Sequence, residues 1–81
     1  MSEVNKIEFN AEVDAIGMNC PLPILRTKKA LATMQSGEIL KVKATDSGAT
    51  KDFPAFAKQT GNELIASGTE GDAFVFFLKR R

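Results

Sequence analysis

The residue in this chain with the clearest chemical potential is a single cysteine. Cys20 is the only cysteine among 81 residues, and it lies in the stretch Gly-Met-Asn-Cys-Pro-Leu-Pro at residues 17–23. The chain has no histidine and no CxxC pair, which excludes Cys–His catalysis, histidine zinc sites and dithiol exchange. A lone thiolate can still attack a sulfur electrophile, hold the transferred sulfur as a persulfide and pass it on. We therefore expect sulfur chemistry at Cys20, with no metal and no cofactor.

Local features of the cysteine motif favour a reactive thiol. With Cys20 as helix N-cap and Pro21 as first helical residue, the positive end of the helix dipole faces the sulfur and favours the thiolate. This effect is worth about 0.3–1 kcal/mol near a surface, so it lowers the pKa of the thiol only modestly. The two prolines of the motif lack N–H donors, which leaves the Leu22 amide as the main candidate donor to the sulfur. The predicted supports of the site are Asn19, Pro21, Leu22 and Pro23. The alternative is that Cys20 is a small buried residue of the core.

Hydrophobic periodicity predicts the elements that position this motif. Alternating apolar and polar residues indicate strands, and apolar residues three or four positions apart indicate helices. The predicted elements are a strand through residues 7–13, a helix from Pro21 to about Gln35 stopped at Gly37, a strand over 39–45, a helix from Thr50 or Asp52 to Thr60, a short strand over 62–67, a loop over 68–72 and a strand over 73–79.

The order of these elements predicts the fold class. A β-α-β-α-β-β chain is typical of an α+β two-layer sandwich, with two helices packed on one face of a four-stranded mixed sheet. The last strand is apolar on both faces, as expected for an interior strand. Pro54 is expected in the first turn of the second helix, with Thr50 or Asp52 as its cap. Asp46 and Asp52 are interpreted as turn and capping residues rather than as catalytic or metal-binding groups.

The composition is that of one small domain. The chain is 43% hydrophobic and 26% charged, with a net charge of +1. We expect residues 1–8 to form a flexible N-terminal extension and residues 9–81 to form the domain. A single cysteine favours a reducing cytoplasm. No apolar run approaches the roughly 20 residues of a membrane span, so no membrane association is expected.

The exposed face of the predicted first helix is a candidate docking surface. It carries Leu22 and Leu25 beside the cations Arg26 and Lys29. Basic and apolar residues next to the cysteine suit an acidic protein partner and accelerate encounter. The alternative is an ordinary solvated helix face.

A nucleic-acid interpretation depends on aromatic residues near the C-terminus. Phe74, Phe76 and Phe77 could stack on bases, and residues 79–81 are basic. Core packing is the favoured interpretation, because the chain has no tyrosine or tryptophan and only six phenylalanines to fill its core. Three terminal charges are a weak signal for nucleic acid. We therefore expect no direct nucleic-acid binding.

Several segments together resemble a known family. These segments are residues 14–23, 27–31, 36–38, 46–54 and 61–63, with the basic C-terminal strand. Over these segments the chain resembles the TusA/SirA family of small sulfur carriers. The resemblance implies the same sandwich fold, a persulfide on Cys20, and structural support from Pro21 and Pro23. One departure is the Ser-Gly-Ala-Thr that follows Asp46, where relatives often have Pro-Ala-Thr.

The resemblance also implies a function and partners. It implies a carrier rather than a turnover enzyme, at most a sulfurtransferase acting through the Cys20 persulfide. Cysteine desulfurases or rhodanese-type proteins would load it, and DsrE/TusD-type or other acceptors would unload it. The sulfur would serve tRNA 2-thiouridine synthesis, cofactor supply or sulfur oxidation and thiosulfate metabolism. The alternatives are a regulatory interaction module with a structural Cys20, or a small RNA-associated domain.

Overall fold

Six regular elements follow one another in the order β-α-β-α-β-β. A computed structural model of the protein describes residues 7–81. Its elements are β1 (Ala11–Ala15), α1 (Leu22–Ala32), β2 (Ile39–Ala44), α2 (Ala49–Thr60), β3 (Glu63–Glu70) and β4 (Ala73–Lys79). Residues 1–6 of the expected N-terminal extension lie outside the described residues.

The four strands form one mixed sheet in the order β1-β2-β4-β3. β1 runs parallel to β2, with Val13 opposite Val42. β4 runs antiparallel to both β2 and β3. The interior position of β4 explains why its residues are apolar on both faces, as its sequence predicted.

The hydrophobic core lies between this sheet and the two helices. Alternate residues of β2, namely Leu40, Val42 and Ala44, are buried and belong to one cluster with residues of both helices. In that cluster the ring of Phe53 on α2 stacks on the ring of Phe76 on β4, with 4.6 Å between centroids. The predicted two-layer sandwich, with both helices on one face of the sheet, is confirmed.

The opposite face of the sheet is covered by paired charges instead of a helix. Lys41 and Lys43 alternate with the buried residues of β2 and form ion pairs with Glu70 at 3.5 Å and Glu12 at 3.3 Å. Phe77 lies opposite Lys41 in the register and is fully buried. The long aliphatic parts of such lysines shield apolar surface while their ammonium groups remain hydrated.

The bounds of β1 and β3 differ most from the predictions. β1 begins at Ala11 rather than near Ile7, because Asn10 forms a junction in which its N–H donates to the Ile39 oxygen at 2.8 Å and its side-chain oxygen accepts from the Ile39 N–H at 2.9 Å. β3 was predicted to end at residue 67 but continues to Glu70, because Gly68 pairs with Val75 across the ladder. The hairpin turn is therefore only residues 71–72.

The start of α2 also differs from the prediction. The helix begins at Ala49 with Gly48 as N-cap, and no side chain caps it. Pro54 is the sixth helical residue, not a residue of the first turn. The turn before the helix is held by Asp46, whose side chain accepts from the Gly48 N–H at 3.1 Å and whose carbonyl accepts from the Ala49 N–H at 3.0 Å. These bonds replace the expected cap by Thr50 or Asp52.

Candidate functional site at Cys20

Cys20 lies in the turn that connects β1 to α1, and its thiol is free and exposed. The turn is pinned to the sheet at Gly17, whose N–H donates to the Thr45 hydroxyl oxygen at 2.9 Å. Gly17 has φ +82, a backbone conformation that residues with a Cβ rarely adopt. The turn therefore presents the cysteine at the edge where β1 and β2 end, and the interpretation of Cys20 as a buried core residue does not hold.

The start of α1 lies one residue later than the dipole argument assumed. The helix begins at Leu22 and ends at Ala32, with Pro21 as N-cap, so Cys20 is outside the helix. The Leu22 N–H donates to the Asn19 carbonyl at 2.9 Å and not to the sulfur, contrary to the prediction. The Cys20–Pro21 peptide bond is cis. A dipole acts strongly only within the terminal turn, so its influence on this thiol is weaker than expected.

The second proline of the motif anchors the helix start in the core. Pro23 is buried as the second residue of α1, where its missing N–H leaves no helical bond unmade. Its carbonyl accepts a hydrogen bond from the hydroxyl of Thr27 at 2.8 Å, and Thr27 is fully buried. Asn19 and Pro21 are exposed. Pro23 and Thr27 thus fix the position of the first turn, and with it the position of the cysteine.

The electrostatics at the sulfur are opposite to the prediction. The pKa of the Cys20 thiol lies above its ordinary value. The largest cause is partial desolvation by the surrounding chain, although the residue as a whole is exposed. Next come the negative charge of Asp52 and a hydrogen bond from the thiol to its carboxylate, then the charge of Asp46. All four effects favour the thiol over the thiolate.

The two carboxylates converge beside Gly48. A Cβ on Gly48 would lie 3.0 Å from Oδ2 of Asp46 and 3.4 Å from Oδ2 of Asp52, so the glycine leaves room for both. Sequence reasoning treated these residues as turn and capping groups. That is correct for Asp46, but Asp52 caps nothing and faces the cysteine. Their presence in the segment 46–54 that resembles the sulfur carriers was the one signal that could have connected them to Cys20.

Residues 7–81 contain no cluster suited to a metal ion. Within this range no three His, Cys, Asp or Glu side chains come together in a way that could hold one.

The candidate docking residues lie on α1, which directly follows the cysteine turn. Leu22 and Leu25 are 49% and 51% exposed, and Arg26 and Lys29 are exposed on the same helix. Ile16, which precedes the cysteine turn, is 48% exposed; it falls outside the apolar alternation that ends at Ala15 and was not singled out from the sequence. These aliphatic side chains form an apolar rim near the thiol. Their role in docking stays a prediction.

The phenylalanines proposed as a base-stacking surface belong to the core. Phe76 and Phe77 are buried and Phe74 is half-buried. Single-stranded nucleic acids need exposed aromatic faces. The structure therefore favours the core-packing interpretation of these rings.

Comparison with known families assigns the chain to a class. The model of the family described as Sulfurtransferase TusA matches residues 11–80, and the chain belongs to this family. The expected family assignment is therefore confirmed.

Individual relatives agree with this assignment. The chain is 60% identical over 73 residues to the sulfur carrier protein TusA of Allochromatium vinosum, covering 90% of this chain and 96% of that protein. It is 33% identical to the sulfur carrier protein TusA of Pseudomonas syringae, covering 100% and 98% respectively. In fold it is similar to the crystal structure of a SirA-like protein from Desulfitobacterium hafniense, with a TM-score of 0.76 at 22% identity over 86% of this chain and 96% of that one.

Neither helix described within residues 7–81 has the length and hydropathy needed to cross a bilayer.

Proposed function

We propose that the protein is a sulfur carrier that accepts sulfane sulfur on Cys20 and relays it as a persulfide. The observation that supports this most directly is a lone, exposed cysteine in the connection between β1 and α1 of a chain that belongs to the TusA family. The accessible thiol meets the steric demand of transfer between two proteins. The absence of a second cysteine in the sequence suits a carrier, because a resolving thiol would discharge the persulfide as a disulfide.

The transfer step needs no external oxidant or reductant. The sulfur of Cys20 attacks the outer sulfur of a donor persulfide, a new S–S bond forms on Cys20, and the S–S bond of the donor breaks. The proton of the Cys20 thiol goes to the departing donor thiolate, and the persulfide anion remains on Cys20. Because the pKa of the resting thiol is raised, Cys20 reacts after it loses this proton in the complex with the donor. Unloading follows the same steps in reverse, with an acceptor thiol as the nucleophile.

The proposed partners are those that the resemblance to the TusA/SirA family implies. The donor is a cysteine desulfurase or a rhodanese-type protein, and the acceptor is a DsrE/TusD-type or other sulfur-accepting protein. A reducing compartment such as the cytoplasm keeps the thiol available. The apolar rim near Cys20, with Arg26 and Lys29, is the proposed contact surface, since exposed leucines gain free energy when a partner covers them.

The test is sulfur loading followed by mass spectrometry. The purified protein is incubated with a cysteine desulfurase and cysteine, and its intact mass is measured before and after reduction. We expect an increase by one sulfur atom that reductant removes and that Cys20→Ser abolishes. The matched control is Ser47→Ala, a small exposed change outside the cysteine turn, which should load normally.

Two outcomes would contradict the proposal. The wild-type protein could stay at its unmodified mass with an active desulfurase and with a rhodanese-type donor, or the Cys20→Ser variant could acquire the same labile sulfur. The first result would favour an interaction module without sulfur chemistry, and the second would show that Cys20 does not carry the labile sulfur. Because Cys20 is exposed and makes no core contact, failure of the variant to fold does not complicate the result.

A further inference from the structure

A second site lies between the C-terminal halves of the two helices, away from Cys20. A cavity of about 200 Å³ is lined there by Lys28 of α1, Thr60 of α2, Asn62, and Arg80 and Arg81 after β4. We call this cavity the arginine groove. Its lining includes three positively charged side chains and no carboxylate side chain.

The two arginines are held in place by the fold. The Nε of Arg80 donates to the Leu31 carbonyl at 2.8 Å, and its Nη1 donates to the main-chain oxygen of Arg81 at 2.9 Å. The Arg81 N–H donates to the Asn62 side-chain oxygen at 2.9 Å. The Arg81 side chain lies over Gly61, where an added Cβ would be only 3.0 Å from its Cδ. The groove is thus preorganised, which lowers the entropy cost of binding.

The positive charge of the groove is not balanced by nearby side chains. The two ion pairs within residues 7–81 involve Lys41 and Lys43 on the far face of the sheet. Glu63 lines the adjoining cleft, but so does Lys79, and their charges offset each other. The two helix C-termini contribute about half a negative charge each, which compensates only part of three cations. Like charges gathered in this way are stabilised by an anion.

The groove is continuous with the proposed docking surface. Leu25, Lys28 and Ala32 are spaced by three and four residues, so they form one ridge along α1. Lys28 lies one helical turn, roughly 5 Å, beyond Leu25. A protein that covers the apolar rim near Cys20 therefore reaches the arginine groove along the same helix.

We propose that the arginine groove binds the carboxylate side chains of an acidic segment on a protein partner. Arginine matches carboxylates with two parallel hydrogen bonds, and Thr60 and Asn62 provide further polar contacts. The size of the groove suits one or two carboxylates. A nucleic acid needs a longer array of phosphate contacts, which a chain of net charge +1 with buried Phe76 and Phe77 does not provide. That the partner is the sulfur donor or acceptor rests on the proposed function; the binding of an acidic segment does not.

The experiment is an NMR titration of the isotopically labelled protein with a short polyglutamate peptide. We expect the amide signals of Thr60 and Asn62 and the Nε–H signals of Arg80 and Arg81 to shift saturably, with an affinity that falls as salt is added. The double variant Lys28→Glu/Arg81→Glu should bind about tenfold more weakly or worse. Arg80 is left intact because it bonds to the end of α1.

The controls separate the groove from general electrostatics and from sulfur transfer. Lys58→Glu makes the same kind of change on an exposed residue of α2 outside the groove and should leave the affinity within about twofold of wild type. Cys20→Ser should bind the peptide like wild type, so a failed sulfur-loading assay does not affect this test. The proposal is overturned if the shifts map to Arg26 and Lys29 instead, if Lys58→Glu weakens binding as much as the double variant, or if an oligouridine RNA displaces the peptide from the groove.

Discussion

Cys20 combines exposure with an environment that disfavours its ionisation. The thiolate is the reactive form of a cysteine, yet partial desolvation and the carboxylates of Asp52 and Asp46 raise the pKa of this thiol. At neutral pH the resting protein therefore holds Cys20 mainly as the less reactive thiol. A carrier that meets many small oxidants and electrophiles is protected by this arrangement.

Asp52→Asn should make Cys20 more reactive. The substitution removes the negative charge that is the second cause of the raised pKa, so the pKa falls and the thiolate fraction at neutral pH rises. The rate of alkylation by iodoacetamide, measured against pH, should reach its midpoint at a lower pH than in wild type. Asp46→Asn should move the midpoint in the same direction by less.

Asp72→Asn is the matched control for charge. Asp72 is exposed in the turn between β3 and β4, and its charge is not among the causes of the Cys20 shift. This variant should have the wild-type midpoint. An unchanged midpoint in Asp52→Asn, or an equal change in Asp72→Asn, would show that Asp52 does not control the thiol.

Among the elements, α2 contains a proline in its interior, which is unfavourable for a helix. Pro54 is the sixth residue of the helix and has no N–H to donate to the Thr50 carbonyl. A proline inside a helix costs about 3 kcal/mol. The helix persists because Phe53 and Phe56 are buried on either side of the proline. Packing against the sheet therefore outweighs local helix propensity in this element.

Pro54→Ala should stabilise the protein. Alanine restores the missing hydrogen bond, while part of the gain is lost because the unfolded chain becomes more flexible. We expect the free energy of unfolding in urea to increase by about 1–3 kcal/mol. Ala55→Gly, at the neighbouring exposed position, should instead lower it by about 1 kcal/mol. A decrease for Pro54→Ala would mean that the proline fits its backbone without strain.

At the scale of the whole molecule, stability depends on the contact between α2 and the sheet. Phe53 is fully buried and stacks on Phe76 of β4, so it connects the two layers. Phe53→Ala should reduce the free energy of unfolding by about 3–5 kcal/mol. Domains have a total stability of only about 5–15 kcal/mol, so the variant should unfold at a much lower urea concentration than wild type.

Phe9→Ala is the comparison for this change. The Phe9 ring is 43% exposed on the opposite face of the sheet, 6.2 Å from the ring of Phe77. Removal of this ring should lower the free energy of unfolding by less than about 1 kcal/mol. Equal losses of stability for the two variants would mean that the far face contributes as much to folding as the core between the layers.

The architecture was predictable from the sequence because its signals are local. The alternation of Leu40, Val42 and Ala44 with two lysines defines a half-buried strand, and the apolar run of β4 defines an interior one. The predictions were wrong where contacts with residues distant in the sequence determine where an element begins or ends. β3 extends through Gly68 because Val75 pairs with it, and α2 starts early because Asp46 organises the preceding turn.

The site was predictable only in part for the same reason. Cys20 could be found because its residue type occurs once. The donor to its sulfur was misassigned because the Asn19 carbonyl competes for the Leu22 N–H. The sign of its pKa shift was wrong because the dipole argument considered α1 alone, whereas the shift comes first from partial desolvation and then from Asp52 and Asp46. No periodicity of the sequence indicates that residues 20 and 52 meet.

The contact between residues so distant in the chain makes the thiol a reporter of folding. In the unfolded protein the carboxylate of Asp52 is no longer held beside the sulfur, and the pKa of Cys20 returns toward its ordinary value. Local opening of α2 has the same effect without global unfolding. The folded protein is thus the form in which Cys20 is least readily oxidised or alkylated. A partly unfolded molecule is modified more readily at the residue on which its proposed function depends.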